Sequence, residues 1–535
     1  MRVSKALFAS AVAAALVLAG CGGSSDSGSA TSESGSGAGQ VVTVNGTEPQ
    51  NPFIPANINE TGGGRIATVI WSGLVSYDKD GKTQMEVADS ITSDDNQTWD
   101  VKLKDGWKFT NGDPVDAQSF VDAWNWGAKL SNKALSAQFF EPIEGYSTEK
   151  DTELTGLKVV SPTEFTIKLN SPQSDFVSRL GYTAFSPMPK SAFSDLKAYG
   201  EKPVGNGPYK FDNWNHNVEI TLTPNPDYSG PRKVENGGLT VKFYEQMDSA
   251  YNDLLANNLD VLDTIPAASL STFTKDLGDR AVNAPGAVFQ AFAIPSYLPH
   301  FAWDEEGRLR RQALSLAIDR PTITKTIFQD TRTPATDFVA PVIPGHQEKL
   351  NGGDVLTYNP DKAKELWAKA NAISDWGNTK FELAYNADGD HKAWVDATMN
   401  SIKNVLGIEA QGKPYPQFGQ LRNEATQGTL TSAVRAGWQA DYPSVYNFMG
   451  PIFTKNAGSN DAHYDNPDFD KLLQDALAAD KDKADGMFVQ AQETLIKDLP
   501  QIPLWYSNAI GGYSENVKNV QFGWDTVPLY YAVQK

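Results

Sequence analysis

Three residues in the last third of the chain could together bind a ligand that has two charged ends. The segment V-R-A-G-W-Q-A-D-Y-P-S-V-Y-N, residues 434–447, holds Arg435, Trp438 and Asp441 close together in sequence. The arginine and the aspartate carry opposite charges, so a ligand lying across both needs a cationic and an anionic end. A carboxylate half-buried beside a tryptophan is costly unless a positive group pairs with it. A peptide ammonium would supply that charge through charge-assisted hydrogen bonds.

The same residues also have a purely structural interpretation. Asp441 could cap a turn before Pro443, Trp438 could belong to the core, and Arg435 could be solvated or paired with another side chain. Short clusters of charged and aromatic residues are common in proteins. Their spacing alone therefore leaves both interpretations open.

The segment resembles the ligand-binding strand and loop of the oligopeptide-binding proteins, many of which carry R-A-G-W-C-A-D-Y here. These proteins are the extracytoplasmic receptors of peptide ABC importers. The resemblance implies that Asp441 holds the peptide's α-ammonium, that Arg435 faces its carboxylate end, and that His391 faces the carboxylate end of longer peptides. Gln439 departs from the pattern, because those relatives have a disulfide-forming cysteine there. This chain has one cysteine in all, so that disulfide is absent.

Three aromatic residues are candidate walls for the side-chain pockets of such a site. Trp438 and Tyr442 flank Asp441, and Tyr415 falls where the family often has a stacking tryptophan. Aromatic walls tolerate varied side chains, and water can fill the unused space. The peptide could meanwhile be held through its main chain as an added strand.

The N-terminus predicts a secreted, lipid-anchored protein. Residues 1–20 combine two basic residues with an apolar run, as a signal peptide does. That run is too short to span a bilayer comfortably. Its end, L-A-G-C at 18–21, resembles the lipobox of bacterial lipoproteins, which implies acylation of Cys21 and a lipid anchor on the outer face of the cell membrane. Residues 22–40, rich in Gly, Ser, Ala and Thr, predict a flexible linker.

Composition excludes several functional classes. The chain has 46 basic and 65 acidic residues among 535, a net charge of -19, which argues against nucleic acid and anionic lipid as partners. There is no G-x-S-x-G or H-E-x-x-H motif and no catalytic cysteine beyond the predicted lipidation site. A P-loop-like sequence at 407–413 is followed by Pro414 where a Ser or Thr is required. We therefore expect no enzymatic activity, cofactor or metal, and a monomer.

Scaffold motifs extend the resemblance over nearly all of residues 41–535. They include W-D-V-K-L at 99–103, K-F-T-N-G-D-P-V at 108–115 and N-P-D-K-A-K-E-L-W at 359–367. The resemblance implies an α/β, two-lobed periplasmic-binding-protein-like fold of the cluster C type, with an extra subdomain inserted in the first lobe. Lobe I is expected at 41–78, 203–287 and 506–535, the inserted subdomain at 79–202, and lobe II at 288–505. The Gly62-Gly63-Gly64 run is expected in a loop, before a helix over 65–76.

The function implied by the resemblance is capture of short peptides and their delivery to an ABC permease and its ATPase. Lobe closure around a ligand requires that the closed state bind it more tightly than the open state. The same superfamily includes receptors for oligosaccharides and other small solutes, which remain an alternative. A hydrolytic lipoprotein, which would cleave a peptide instead of returning it intact, is a second alternative.

Overall fold

The computed structural model describes residues 39–387 and 389–535. The predicted signal peptide, the predicted lipidation site Cys21 and the predicted linker up to residue 38 lie outside the described residues. Asp388 also lies outside them.

The described part of the chain forms seventeen strands and fourteen α-helices. The strands are β1 (Val42–Gly46), β2 (Val75–Tyr77), β3 (Thr83–Met85), β4 (Ala88–Thr92), β5 (Thr98–Leu103), β6 (Leu157–Ser161), β7 (Glu164–Lys168), β8 (Tyr209–Asn215), β9 (Glu219–Pro224), β10 (Leu239–Phe243), β11 (Val261–Leu262), β12 (Ala281–Ala293), β13 (Arg332–Pro334), β14 (Phe381–Asn386), β15 (Ala410–Tyr415), β16 (Ala433–Gln439) and β17 (Gln501–Tyr513). The helices are α1 (Thr61–Ile70), α2 (Ala117–Ala128), α3 (Phe176–Arg179), α4 (Leu196–Glu201), α5 (Met247–Leu255), α6 (Phe273–Leu277), α7 (Glu305–Leu316), α8 (Arg320–Phe328), α9 (Pro360–Ile373), α10 (Lys392–Leu406), α11 (Phe418–Thr426), α12 (Gly450–Phe453), α13 (Pro467–Ala478) and α14 (Lys481–Asp498).

One large sheet runs through the molecule in the order β15-β14-β16-β12-β17-β11-β1-β10-β9-β8, with β13 added beside β17. Its centre is the antiparallel pair β12 and β17, each thirteen residues long. One buried hydrophobic cluster draws mainly on residues 287–506. A second draws mainly on residues 42–261 together with the C-terminal segment. Two long central strands thus connect two separate cores.

A four-stranded antiparallel sheet, β4-β5-β7-β6, is separate from the large sheet. Its strands lie within the segment predicted as the inserted subdomain. The strand β5 alternates exposed and buried residues along its length, as the T-W-D-V-K-L pattern requires for a sheet with one buried face. The boundaries of the lobes and of the subdomain stay predictions.

The glycine triplet does not form a loop, because Gly62 and Gly63 lie in the first turn of α1. The Glu60 side chain caps this helix by accepting the backbone N–H of Gly63 at 2.8 Å. A Cβ on Gly63 would lie 2.4 Å from the Glu60 carboxylate, and one on Gly62 would lie 2.2 Å from the Thr47 hydroxyl. Glycine is therefore needed for this close approach, and the cap starts the helix earlier than its apolar periodicity indicates.

Candidate functional site

The strand β16 carries the predicted ligand-binding residues into the centre of the large sheet. It pairs with β12, where Trp438 lies opposite Phe289. Side chains alternate between the two faces of a strand, so Arg435 and Gln439 share one face and Trp438 lies on the other. A Cβ on Gly437, between them, would lie 2.8 Å from the Phe289 carbonyl oxygen. The sequence R-A-G-W-Q thus fits a strand whose centre is closely covered by its neighbour.

Asp441 lies two residues beyond the end of β16 and is held in place by Asn447. The Asn447 side-chain carbonyl accepts the Asp441 backbone N–H at 3.0 Å and the Trp438 indole N–H at 3.0 Å. Its amide group donates to Asp441 Oδ2 at 3.2 Å. Asn447 itself is buried, so this network fixes the direction of the carboxylate.

The loop after Asp441 is attached to the short helix α3, which belongs to the other half of the chain. Arg179 Nη2 donates to the Tyr442 hydroxyl at 3.0 Å, and the Ser444 hydroxyl donates to Asp175 Oδ2 at 2.8 Å. The Arg179 guanidinium also lies 5.3 Å from the centre of the Tyr442 ring. These contacts anchor Asp441 on both sides of the loop, through Asn447 and through α3.

Asp441 faces a cavity of about 360 Å³, which lies within the size range of small-molecule sites. Four segments and one arginine form its wall. They are residues 58–61, 64, 65, 68, 69, 71, 73, 75–78, 181–183, 186, 232, 439–441, 523–525 and 527–531. The wall combines the first turns of α1, the strand β2, the end of β16 and the C-terminal turn, so the cavity lies where the two cores meet.

Burial raises the pKa of the Asp441 carboxyl to about 6, although the Asn447 hydrogen bond and the Arg179 charge partly oppose this shift. Within the described residues no lysine, arginine or histidine forms an ion pair with Asp441. Burial and the Asp441 charge together raise the pKa of the cavity residue Tyr182, whose hydroxyl therefore stays protonated. The carboxylate is thus partly dehydrated and suited to bind a cation.

Arg435 and His391, the two residues predicted to face the ligand's carboxylate end, lie outside the cavity wall. Arg435 Nε donates to Asn386 Oδ1 at 2.7 Å, and its guanidinium lies 4.8 Å from the centre of the Phe418 ring. His391 precedes α10, and its Nδ1 accepts the Trp394 indole N–H at 3.1 Å. The strands β14 and β16 are neighbours, which brings both residues to one end of the same part of the sheet.

The three predicted aromatic residues also lie outside the cavity wall, and each has a structural contact. The Trp438 indole is bound by Asn447, as described above, and Tyr442 is buried against Arg179. The Tyr415 hydroxyl donates to Glu424 Oε2 at 2.7 Å, and its ring belongs to a small separate core. Their assignment as pocket walls stays a prediction.

Residues 39–387 and 389–535 contain no group of three or more His, Cys, Asp or Glu side chains arranged to hold a metal ion. None of the helices in those ranges has the length and apolar character needed to cross a bilayer.

A sequence profile of the bacterial extracellular solute-binding proteins, family 5, matches residues 82–460. The chain belongs to this family. Among similar proteins is the oligopeptide-binding protein OppA of Bacillus subtilis, 27% identical over 507 residues, which cover 89% of this chain and 90% of that protein. The periplasmic oligopeptide-binding protein OppA of Salmonella typhimurium is also 27% identical, over 89% of each chain.

The fold of this family 5 protein is also similar to solved structures. The Escherichia coli murein tripeptide-binding protein MppA has a TM-score of 0.73 and 21% identity, over 93% of this chain and 98% of that one. Haemophilus influenzae OppA in complex with the peptide RPPGFSPFR has a TM-score of 0.70 and 24% identity, over 93% and 99%. The predicted α/β, two-lobed periplasmic-binding-protein-like fold is confirmed.

Several residues in or next to the cavity have no counterpart among the sequence predictions. Asn447 lies within the predicted segment, but an asparagine after a proline turn carries no specific signal for positioning a carboxylate. Tyr77, Tyr182 and Asp525 come from distant parts of the chain and belong to no recognised motif. Only the assembled fold brings them beside Asp441.

Proposed function

We propose that this family 5 solute-binding protein recognises short peptides through their α-ammonium group, which binds the Asp441 carboxylate. The protein captures peptides outside the cytoplasmic membrane and delivers them to an ABC importer. The observation that supports the Asp441 assignment is a half-buried carboxylate that faces the cavity, is oriented by Asn447 and forms no ion pair within the described residues. A peptide ammonium supplies the missing charge together with three hydrogen-bond donors.

Arg435 is proposed to lie near the carboxylate end of a bound peptide. It shares a sheet face with the cavity residue Gln439, four residues further along β16, which at about 3.3 Å per residue is a separation of roughly 13 Å. Asp441 lies two residues beyond. A bound peptide whose N-terminus lies at Asp441, and whose main chain runs alongside β16 as an added strand, would reach Arg435 within about three to five residues. Both charges sit on one continuous segment, so lobe closure leaves their separation nearly unchanged.

His391 is proposed to bind the carboxylate of longer peptides. A Cβ on Gly389 would lie 2.9 Å from His391 Nε2 and 3.1 Å from Asn386 Nδ2, so both side chains border the same backbone position. Asn386 in turn accepts a hydrogen bond from Arg435. The three polar side chains thus form a group beyond the cavity, where the end of a longer peptide would arrive. Trp438, Tyr442 and Tyr415 are proposed to shape the surrounding side-chain pockets.

Anchoring through an acylated Cys21, with residues 22–40 as a linker, is proposed from the lipobox-like sequence alone. We propose in addition that the protein acts as a monomer and is not an enzyme. A Cys21→Ser variant is expected to move from the membrane fraction to the soluble extracellular fraction. Retention of this variant in the membrane fraction would exclude the anchor.

The central experiment compares a free tripeptide with its N-acetylated form by isothermal titration calorimetry. Ala-Ala-Ala is expected to bind at least tenfold more tightly than acetyl-Ala-Ala-Ala, because acetylation removes the charge that pairs with Asp441. A cello-oligosaccharide tests the alternative of a sugar receptor, and mass spectrometry of the recovered peptide tests for hydrolysis. Equal affinity for the two peptides, tighter sugar binding or cleavage of the peptide would each refute the proposal.

A further inference from the structure

The cavity contains more uncompensated negative charge than one peptide ammonium can neutralise. Six charged side chains line it: Glu60, Arg65, Asp78, Arg232, Asp441 and Asp525. Their partners decide how much of this charge is available to a ligand.

Both arginines in the wall are already paired with buried carboxylates. Arg65 forms an ion pair with Asp263, and Arg232 Nη2 lies 2.6 Å from Glu86 Oε1. The Arg232 guanidinium also donates to the carbonyl of Trp71 at 3.0 Å. Each cation therefore has a carboxylate partner of its own, although the charge of Arg65 also acts on Asp525.

Two of the four acidic residues have structural roles, because their carboxylates accept backbone N–H groups. Glu60 caps α1 by accepting the Gly63 N–H. Asp78 Oδ1 accepts the backbone N–H groups of Asp80 and Lys82 at 3.0 and 2.9 Å, which fixes the turn between β2 and β3. A carboxylate that accepts backbone donors is partly satisfied. These two residues therefore have less need of a ligand cation.

Asp525 differs from these two residues and resembles Asp441, because it has few hydrogen-bond partners and a raised pKa. Its Oδ1 accepts the Val527 N–H at 3.1 Å, and within the described residues it forms no ion pair. Burial raises the pKa of its carboxyl to about 6, and the charge of Arg65 only partly opposes this. The residue before it, Trp524, packs edge-on against Tyr77 at 5.4 Å between ring centres, which fixes the turn.

Tyr77 lines the same cavity as the two carboxylates, and burial together with the charges of Asp441 and Asp525 raises the pKa of its hydroxyl. That hydroxyl donates to the Ser178 carbonyl, so the ring is fixed in the wall. The two acids and this fixed aromatic side chain therefore line one cavity. A ligand with a single cationic group leaves one of them without a partner, and an unpaired buried charge is costly.

We propose that Asp525 binds a second cationic group of the ligand, and that the protein therefore prefers peptides whose N-terminal residue is lysine, arginine or ornithine. This inference rests on the proposed function, because it assumes that the α-ammonium lies at Asp441. The basic side chain of the same residue then extends past Tyr77 to Asp525. The first residue is the one held at Asp441, and both acids line the same cavity, so its side chain is the one assigned to Asp525.

The test compares Lys-Ala-Ala with norleucyl-Ala-Ala, whose first side chain is similar in length but uncharged, by calorimetry at pH 7.5. Wild-type protein is expected to bind the lysyl peptide about tenfold to a hundredfold more tightly, the effect of one partly buried charge pair. Asp525→Asn, which keeps the acceptor for Val527, is expected to reduce this ratio to less than about twofold. Asp441→Asn is the matched control, because it weakens both peptides and keeps their ratio.

A second pair of peptides distinguishes a specific contact with Asp525 from a general attraction of basic peptides to an acidic protein. Ala-Ala-Lys and Ala-Ala-norleucine are expected to bind with equal affinity, since only the first side chain of the peptide is assigned to Asp525. Equal binding of the first pair by the wild type, or an unchanged ratio in folded Asp525→Asn, would overturn the inference while leaving the proposed function in place. If neither peptide of the first pair binds, the proposed function fails and the inference falls with it.

Discussion

Replacement of Asp441 by asparagine is expected to change peptide affinity and protein stability in opposite directions. Asparagine has nearly the same shape and can keep the contact with the Asn447 amide, but it removes the charge. Loss of one partner of a desolvated charge pair costs about 2 to 5 kcal/mol, or about 30-fold to several thousand-fold in Kd. The variant is therefore expected to bind Ala-Ala-Ala poorly.

Stability should rise because the charged Asp441 carboxylate opposes folding in the absence of a cation. A carboxyl group with a pKa of about 6 in the folded protein and about 3.9 in the unfolded chain destabilises the fold by about 3 kcal/mol at pH 7.5. Partial exposure to solvent reduces this, so a gain of about 1 to 3 kcal/mol is expected for the asparagine. With an unfolding entropy of roughly 2.1 cal/mol/K per residue, Tm rises by about 1 to 3 °C.

The pH dependence of this gain gives an internal check. The folded-state pKa of Asp441 is raised, so the destabilisation is fully present well above pH 6 and disappears as pH falls through about 6 towards 4. Differential scanning calorimetry of peptide-free wild type and variant should therefore show a difference in Tm at pH 7.5 that has nearly vanished at pH 4. Asp337→Asn is the control, since Asp337 is also buried with a raised pKa but lies outside the cavity wall, and its carboxylate accepts the backbone N–H groups of Phe338 and Gln347 instead of contacting the Asp441 loop.

Two results would refute this reasoning. The first is an Asp441→Asn variant that is folded and less stable than wild type at pH 7.5, which would mean that the carboxylate is compensated within the protein. The second is an affinity for Ala-Ala-Ala within tenfold of wild type, which would place the ammonium elsewhere. The Asp337→Asn control is expected to keep the preference for free over acetylated peptide.

Three further predictions follow from the same geometry. The affinity of wild type for Ala-Ala-Ala should fall about tenfold between pH 7.5 and pH 5, because Asp441 becomes protonated below its raised pKa of about 6. Calorimetry on the Asp441→Asn variant should show no such fall. Arg435→Gln should weaken a pentapeptide with a free carboxylate about tenfold or more and leave its C-terminal amide unaffected; equal loss for both would argue against a carboxylate contact. Glu86→Gln should lower the free energy of unfolding by about 3 to 5 kcal/mol, because Arg232 is then buried without its partner; guanidinium unfolding measures this, and a loss below about 1 kcal/mol would contradict it.

The elements that the sequence predicts best are those whose signals are local. The strand β5 is an example, because its alternation of apolar and polar residues is complete over the six positions Thr98–Leu103. The helices α9 and α13 begin after Asn359 and Asn466, whose side chains accept backbone N–H groups as cap residues do. The helix expected over 65–76 is wrong at both ends, because α1 spans Thr61–Ile70 and Val75–Tyr77 forms β2. Its start differs because glycines usually end helices. Here the Glu60 cap and a close approach to Thr47 outweigh that tendency.

The candidate site is predictable only in part, because long-range packing forms its cavity. The position of Asp441 follows from a specific local motif, and the structure places it in the cavity wall. Asp525 has no motif of its own, and only the return of the C-terminal segment towards α1 brings it to the same cavity. The sequence likewise gives no indication that Arg435 contacts Asn386 across two neighbouring strands. Whether a charge in a motif is already paired is a property of the fold.

The unpaired carboxylates suggest how ligand charge, as well as ligand size, could control closure of the lobes. The cavity wall combines the end of β16 from one core with α1 from the other, so closure would remove water from around Asp441 and Asp525. Dehydration without a cation makes an anion more costly, whereas dehydration of an ion pair strengthens it. If the proposed contacts form, a cationic peptide is therefore expected to favour the closed state more than an acetylated peptide of similar volume does. Since a ligand shifts an equilibrium only by its differential affinity for the two states, the two carboxylates would make closure depend on the charge that marks a peptide's N-terminus.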